Sequence, residues 1–246
     1  MRYAVVSDIH GNFEALTQII AKAESEGFDK ILNLGDMVGY YTTPNECVDL
    51  LRDRNAVSIM GNHDVVACGG VEPVFFNPTA AQAILWAREH LRPDNREYIS
   101  RLPDQRRIGD ELLMVHGSVR DRDEYLLFRP EIERSFEVLE SSHAGIRVVF
   151  FGHTHRKIYY EKEGSRLYAS DKPDKLVLRP GCLYMINPGS VGQPRDGDPR
   201  AAFCIFDTEA RAVTFYRVSF DIDKVANAVR SLPFGESLAK RLYRGI

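Results

Sequence analysis

Five short apolar runs in this chain each end directly in a polar cluster, and this pairing constrains the fold more than any other feature. Tyr-Ala-Val-Val-Ser, Ile-Leu-Asn-Leu, Val-Ser-Ile-Met, Leu-Leu-Met-Val and Arg-Val-Val-Phe-Phe lead into Asp8-Ile9-His10, Gly35-Asp36, Gly61-Asn62-His63-Asp64, His116-Gly117 and Gly152-His153-Thr154-His155. Runs of this length and β-branched content read as buried strands. Five of the seven histidines stand in these clusters, so the placement gathers them at one sheet edge. Carboxylate, amide and imidazole donors held on rigid backbone are what a metal site requires.

Between the strands the pattern changes to helical spacing. Phe13, Leu16, Ile19, Ile20 and Ala23 predict a helix over 13–26, stopped by Gly27. Thr43-Pro44-Asn45-Glu46 offers an N-cap, a proline at the first helical position and a capping glutamate for a helix to about Arg54. With strands over 2–7, 30–34 and 56–60, this alternation implies right-handed crossovers and a largely parallel sheet, whose strand C-termini form the ligand crevice. Residues 78–101 read as two helices opened by Pro78 and Pro93, a helical insertion at about 78–103 flanking the site. Strands are expected at 105–108, 111–115 and 147–151, with a helix near 131–140. Residues 156–219 hold short β-type runs that suggest an antiparallel second sheet, and helices at 221–231 and 236–244 close the chain.

Composition narrows the function classes. A net charge of −3 over 246 residues disfavours a general polyanion-binding surface, so no stable nucleic-acid binding is expected. No apolar run approaches the roughly 18–20 residues that span a bilayer, and the N-terminus passes straight into a strand, so neither a membrane segment nor a signal peptide is expected. Cys47, Cys68, Cys182 and Cys204 show no C-x-x-C pairing. Reduced thiols and a cytoplasmic setting fit them, with Cys47 and Cys204 read as small buried hydrophobes. His90 and His143 lie outside the clusters and read as structural or solvated. Arg101, Arg106 and Arg107 read as a solvated basic face.

Asp8 and His10 alternate past a strand end, where residues two apart point the same way and can grip one ion. Asp36, one of two carboxylates in the set, is the natural bridge to a second ion completed by Asn62, His116 and His153, while His155 can return to the first. Such thiolate-free oxygen and nitrogen ligation suits Mn²⁺, with Fe, Zn, Co or Ni as alternatives.

D-x-H, G-D, G-N-H-D, H-G and G-H-T-H in this order resemble the calcineurin-like metallophosphoesterase superfamily, in particular its bacterial and archaeal single-domain phosphodiesterase branch. The run Asn187-Pro188-Gly189-Ser190-Val191-Gly192-Gln193-Pro194-Arg195 is similar to that branch as well. The resemblance implies one domain over 1–246 built as a four-layer αββα sandwich: two mixed β-sheets flanked by helices, with the metal site at the strand C-terminal ends. It implies two divalent or trivalent ions, one on Asp8, His10, Asp36 and His155, the other on Asp36, Asn62, His116 and His153. His63 would face the substrate as general acid, hydrogen-bonded by Asp64, which has a turn-capping role as its alternative. Arg195 is expected either to contact the substrate phosphate or to pair with Asp196 or Asp198.

The implied activity is hydrolysis of phosphodiester or phosphomonoester bonds in small molecules or nucleotides by in-line attack of hydroxide. A dinucleoside polyphosphate hydrolase or a protein phosphatase are alternatives. A DNA nuclease is less favoured, for want of a basic extension, and a non-catalytic scaffold such as the superfamily's retromer subunit is least favoured, since His63 and every ligand position are filled. Homo-oligomers are possible on this reading.

Overall fold

The computed structural model describes residues 1–246. Its first hundred residues run β1 (Arg2–Val6), α1 (Phe13–Glu26), β2 (Lys30–Asn33), α2 (Pro44–Asp53), β3 (Val57–Ser58), α3 (Asn62–Ala67), α4 (Pro78–His90) and α5 (Pro93–Ser100). β1 pairs parallel with β2, and β2 with β3. α1 forms where Ala15, Leu16, Ile19, Ile20 and Ala23 give one buried stripe; the Asn12 side chain caps it by accepting from the Ala15 amide, and Gly27 stops it at φ 79°. Thr43 does not cap α2 as its sequence position predicts. Its hydroxyl donates to the Gly11 carbonyl at 2.6 Å and accepts from the Phe13 amide at 3.1 Å, tying the first loop to the second.

The chain continues through β4 (Gln105–Ile108), β5 (Leu112–Val115), α6 (Arg129–Ser142), β6 (Val148–Phe150), β7 (Lys157–Glu163), β8 (Arg166–Ser170), β9 (Lys175–Val177), β10 (Leu183–Pro188), β11 (Ala201–Asp207), β12 (Ala212–Val218), α7 (Ile222–Arg230) and α8 (Gly235–Arg244). Two mixed six-stranded sheets result, in the orders β3-β2-β1-β11-β12-β9 and β4-β5-β6-β10-β7-β8. The expected antiparallel second sheet over 156–219 is therefore corrected: these strands are shared between both sheets. β11 pairs antiparallel with β1, whereas β10 runs parallel to β6 and antiparallel to β7. Both β10 and Ala201–Phe206 of β11 are buried throughout. A run covered on both faces carries no alternation from which its neighbour is readable.

Period-two alternation sorts the core into layers. Val5, Leu32, Met114, Phe150, Ile186 and Phe206 meet between the sheets. Ala4, Val6, Ile31 and Phe203 face Leu16, Ile19 and Leu51 of α1 and α2 outside the first sheet. Leu113, Val115 and Val149 face Ile132, Phe136 and Leu139 of α6 outside the second. α7 and α8 pack with Ala80 and Ala83 of α4 on Tyr40 and Tyr41, so the C-terminal helices buttress the loop after β2.

His90 stacks on Trp86 at 4.0 Å, and His143 ends α6. All four cysteines are free; Cys47, Cys182 and Cys204 are buried, and the Cys68 thiol donates to the Arg96 carbonyl. No helix is long and apolar enough to cross a membrane.

Candidate metal centre

All five polar clusters converge where β1, β2, β3, β5 and β6 end. The loops that carry them are stitched by backbone hydrogen bonds: Asp8 N to Gly35 O, His10 N to Asp36 O, Gly11 N to Met37 O, and Gly152 N to His116 O at 2.7–3.1 Å. Five of the gathered residues are left-handed, Asp8 (φ 54°), His10 (53°), Asp36 (56°), His153 (63°) and His155 (58°). That conformation is costly for residues with a Cβ and persists only where surrounding contacts over-determine it. It also corrects the alternation argument for Asp8 and His10. β1 ends at Val6, so a turn, rather than an extended strand, brings their side chains together.

Donor atoms of Asp8, His10, Asp36 and His155 all lie within 4.8 Å of one another, and those of Asp36, His116 and His153 form a second such group. Asn62 joins the second through Oδ1, 3.1 Å from His116 Nε2. Backbone carbonyls orient the rings. Nδ1 of His116 donates to Leu34 O at 2.7 Å and Nδ1 of His155 to Gln193 O at 2.6 Å, which leaves each Nε2 facing inward. His153 instead uses Nε2, which donates to Asp123 O. Asp36 Oδ1 accepts from the His63 amide at 2.9 Å, while its buried Oδ2 has no hydrogen-bond partner. Oδ2 lies 3.6 Å from His10 Nε2 and 3.4 Å from His116 Nε2. An orphaned buried carboxylate oxygen shared by two rings of borderline donors fits a pair of divalent metal ions.

Electrostatics agree with a site shaped for cations. Burial holds His10 and His155 well below the ordinary imidazole range and His153 at about 3, so their lone pairs are free to ligate. Burial pushes Asp8 up to about 6. His116 is the exception: burial alone would lower it, but the Asp36 carboxylate raises it to about 9.

His63 lines the cavity above this centre, its ring against Tyr40 at 4.7 Å and His10 at 4.5 Å. The expected hydrogen bond from Asp64 is absent. Asp64 accepts from the backbone amides of Asp36, Val38 and Gly61 at 2.8–3.2 Å, and His63 Nδ1 has no partner. Asp64 therefore takes the turn-capping role, a buried hub for the two loops that carry Asp36 and Asn62. Burial and the nearby Asp36 raise Asp64 to about 7, and burial lowers His63 to about 4.

Arg195 does not pair with Asp196 or Asp198. Those carboxylates hold Arg217 and Arg200, while the Arg195 guanidinium donates to Tyr40 Oη at 3.1 Å and Gln193 Oε1 at 3.0 Å. The loop that carries it is bound into the site, with Ser190 Oγ donating to Asp8 O and Asn187 Nδ2 to Gly152 O.

Reading the sequence misses Gly39, Tyr40, Phe75, Tyr125 and Arg241. The adjacent Tyr40-Tyr41 pair shortly after Gly35-Asp36, two large side chains in a loop next to a donor cluster, is the one sequence feature able to flag any of them. At Gly39 (φ 143°) a Cβ would lie 2.5 Å from His63 Nδ1 and 2.8 Å from His10 Nδ1. Gly39→Ala is therefore expected to cost more than about 1 kcal/mol of stability from the backbone alone, and to weaken metal binding by displacing His10. Urea unfolding with and without Mn²⁺ checks both; unchanged midpoints would show that the rings can yield.

Comparison with known proteins extends the pattern. Residues 1–211 match the calcineurin-like phosphoesterase superfamily domain. An uncharacterised protein of Methanocaldococcus jannaschii is 36% identical over 247 residues, covering 98% of this chain and 97% of its own. The crystal structure of a metallophosphoesterase from Sphaerobacter thermophilus superposes with a TM-score of 0.85 at 35% identity, over 100% of this chain and 99% of that one. A Pyrococcus horikoshii structure, 21% identical, shares the fold with a TM-score of 0.78 over 100% and 98% of the two chains. With most of its length matched and both donor groups assembled at the sheet ends, the chain belongs to the calcineurin-like phosphoesterase superfamily.

Proposed function

We propose that the protein is a dinuclear metal-dependent phosphoesterase acting on small organic or nucleotide phosphoesters, and that the whole chain works as one unit. The observation that carries this is the sharing of Asp36 between two donor groups, with Oδ2 left unpaired. Asp8, His10, Asp36 and His155 would hold one cation, and Asp36, Asn62, His116 and His153 the other, with Mn²⁺ first among Fe, Zn, Co and Ni. Two such cations, when bound, neutralise phosphoryl oxygens and supply a nucleophile from water at neutral pH.

The remaining roles fall to the side chains above the centre. His63 delivers a proton to the departing oxygen; an anionic phosphoryl group beside the ring favours its charged form against the cost of burial. Arg195, pre-oriented by Tyr40 and Gln193, takes the non-bridging oxygens through its planar fork. The organic part occupies a cavity of about 670 Å³ that Phe75, Phe76 and Tyr125 line with His63, within the range of small-molecule sites. Phe75 is 98% exposed, a large apolar side chain held out at the mouth of that cavity. Four free cysteines favour a reducing compartment such as the cytoplasm.

Turnover of bis-p-nitrophenyl phosphate with added Mn²⁺, abolished by chelator and restored by metal, is the test. Inactivity under every divalent ion would overturn the reading. Arg195→Ala is expected to lower kcat/KM about tenfold, the scale of a charge-assisted hydrogen bond, at unchanged metal content. Unaltered kinetics would remove Arg195 from the substrate.

A further inference from the structure

A proton donor works only if its ring is held in place, and the His63 Nδ1 has no hydrogen-bond partner to hold it. The Asp64 carboxylate is engaged by three backbone amides instead. What surrounds the imidazole is aromatic. Tyr40 and His10 stand tilted edge-on to it with centroids at 4.7 and 4.5 Å, and both belong to the loops after β1 and β2. The third ring is Phe76, at 5.2 Å with an interplanar angle of 88°, an edge-to-face pair within the favourable range of separations. Phe76 lies in the 69–77 stretch that joins α3 to α4, outside the five polar clusters. Its side chain packs against two core clusters at once, that of α1 and α2 and that of α7 and α8, whereas the adjacent Phe75 is exposed. The stretch is pinned at its start, where Arg88 donates to Val66 O and Val71 O at 2.8 Å and pairs with Glu72 at 2.9 Å. It is pinned again at its end, where Asn77 Oδ1 accepts from the Ala80 amide at 3.0 Å. Between these anchors the Phe76 amide donates to Pro73 O, and Pro73 and Pro78 restrict the backbone on either side. Phe76 is thus a ring fixed by the core that ends on the side chain whose direction matters for the proton.

Resting on the phosphoesterase reading above, we propose that Phe76 is a positioning residue for the proton donor: with Tyr40 and His10 it boxes the His63 imidazole toward the departing oxygen, in place of an orienting carboxylate. A ring free to turn loses the approach that proton transfer needs, and a misplacement of about 1 Å costs up to about 10²-fold. That loss appears only where the departing group requires the proton. Because Phe75 lines the same cavity, the α3–α4 connection serves the proton donor at one residue and the organic group at the next.

The test compares wild type, Phe76→Ala, Phe76→Leu and the ring-keeping Phe76→Tyr, each first checked for wild-type thermal unfolding and metal content. Two readouts are taken. The first is ¹³C relaxation at the His63 Cε1–H of the Zn²⁺-loaded protein, assigned by its absence in His63→Ala. Its order parameter is expected near the rigid value of about 0.85 in wild type and Phe76→Tyr, falling to about 0.6 in Phe76→Ala and Phe76→Leu. The second is kcat for diphenyl phosphate and bis-p-nitrophenyl phosphate, esters of similar shape whose departing groups differ in their need for a proton. Phe76→Ala and Phe76→Leu should lower kcat about tenfold with diphenyl phosphate and less than about threefold with bis-p-nitrophenyl phosphate. Phe76→Tyr should restore the first value, and Phe76→Ala added to His63→Ala should cost nothing further. A rigid His63 ring in Phe76→Ala and Phe76→Leu, equal falls with both esters, additive losses in the double variant, or loss of metal would overturn the positioning role. Because the relaxation readout needs no turnover, the two readings fail separately. A ring loosened by Phe76→Ala in a protein that hydrolyses neither ester removes only the hydrolase, and turnover by wild type with an unmoved ring removes only the positioning role.

Discussion

Asp36→Asn is expected to lower phosphodiester turnover about a thousandfold, equivalent to about 4 kcal/mol of transition-state stabilisation, and to release bound metal in parallel. The substitution isolates one property of the side chain. Asn keeps the shape and an oxygen able to accept from the His63 amide, as Oδ1 does at 2.9 Å, so α3 retains its anchor. What changes is Oδ2, the buried oxygen without a hydrogen-bond partner that lies near both His10 Nε2 and His116 Nε2. An amide nitrogen there has no lone pair to offer a cation and removes the charge common to both donor groups. Metal content by mass spectrometry of the dialysed protein, read beside kcat/KM, checks it. Two retained metals with near wild-type turnover would mean that Asp36 is not the bridge.

His63→Ala is the second large effect, and its signature is different. Turnover is expected to fall by about 10²–10⁴, the usual worth of a positioned proton donor, with both metals retained, because the ring lies outside both donor groups. Its neighbours Asn62 and Asp64 stay fixed by backbone contacts: Asp64 spans the amides of Asp36, Val38 and Gly61. A leaving-group series makes the test specific. p-Nitrophenolate departs readily as an anion, so the loss with bis-p-nitrophenyl phosphate should be smaller than with an alkyl ester, whose alkoxide needs the proton. Equal losses across the series would remove the acid role. Loss of metal from the variant would show that His63 serves instead to support His10, 4.5 Å away.

The donor set was legible in the sequence because its information is local. A run such as Leu112–Val115, buried at every position, must end where the sheet ends, and a polar residue placed there stands at the crevice. Five such ends identify Asp8, His10, Asp36, Asn62, His116, His153 and His155 without knowledge of which strand neighbours which. The fate of β7 to β12 was not legible. Strands that form alternate hydrophobic and polar residues, or none at all when covered on both sides, and neither pattern names a partner: β10 and β11 are both buried runs, yet they belong to different sheets.

Side-chain partners beyond the donors escaped for the same reason. Asp64 follows His63 directly, but α3 starts at Asn62 and turns the Asp64 carboxylate back toward three amides of two loops. Arg195 precedes Asp196, but the loop bound to Asp8 and Gly152 directs its guanidinium to Tyr40. Arg241 gave no signal among the charges of the final helix.

The sequence by itself determined which residues end the buried strands, that carboxylate and imidazole donors meet there, and that one carboxylate could be shared, because burial and chain period act over a few residues. Only the tertiary structure decided the rest: the left-handed backbone at Asp8, His10, Asp36, His153 and His155, the carbonyls that aim each ring, and the arrival of Arg241 from α8. A strained conformation or an unpaired charge is held by contacts far away in the chain, and those exist only once both sheets and the C-terminal helices have packed.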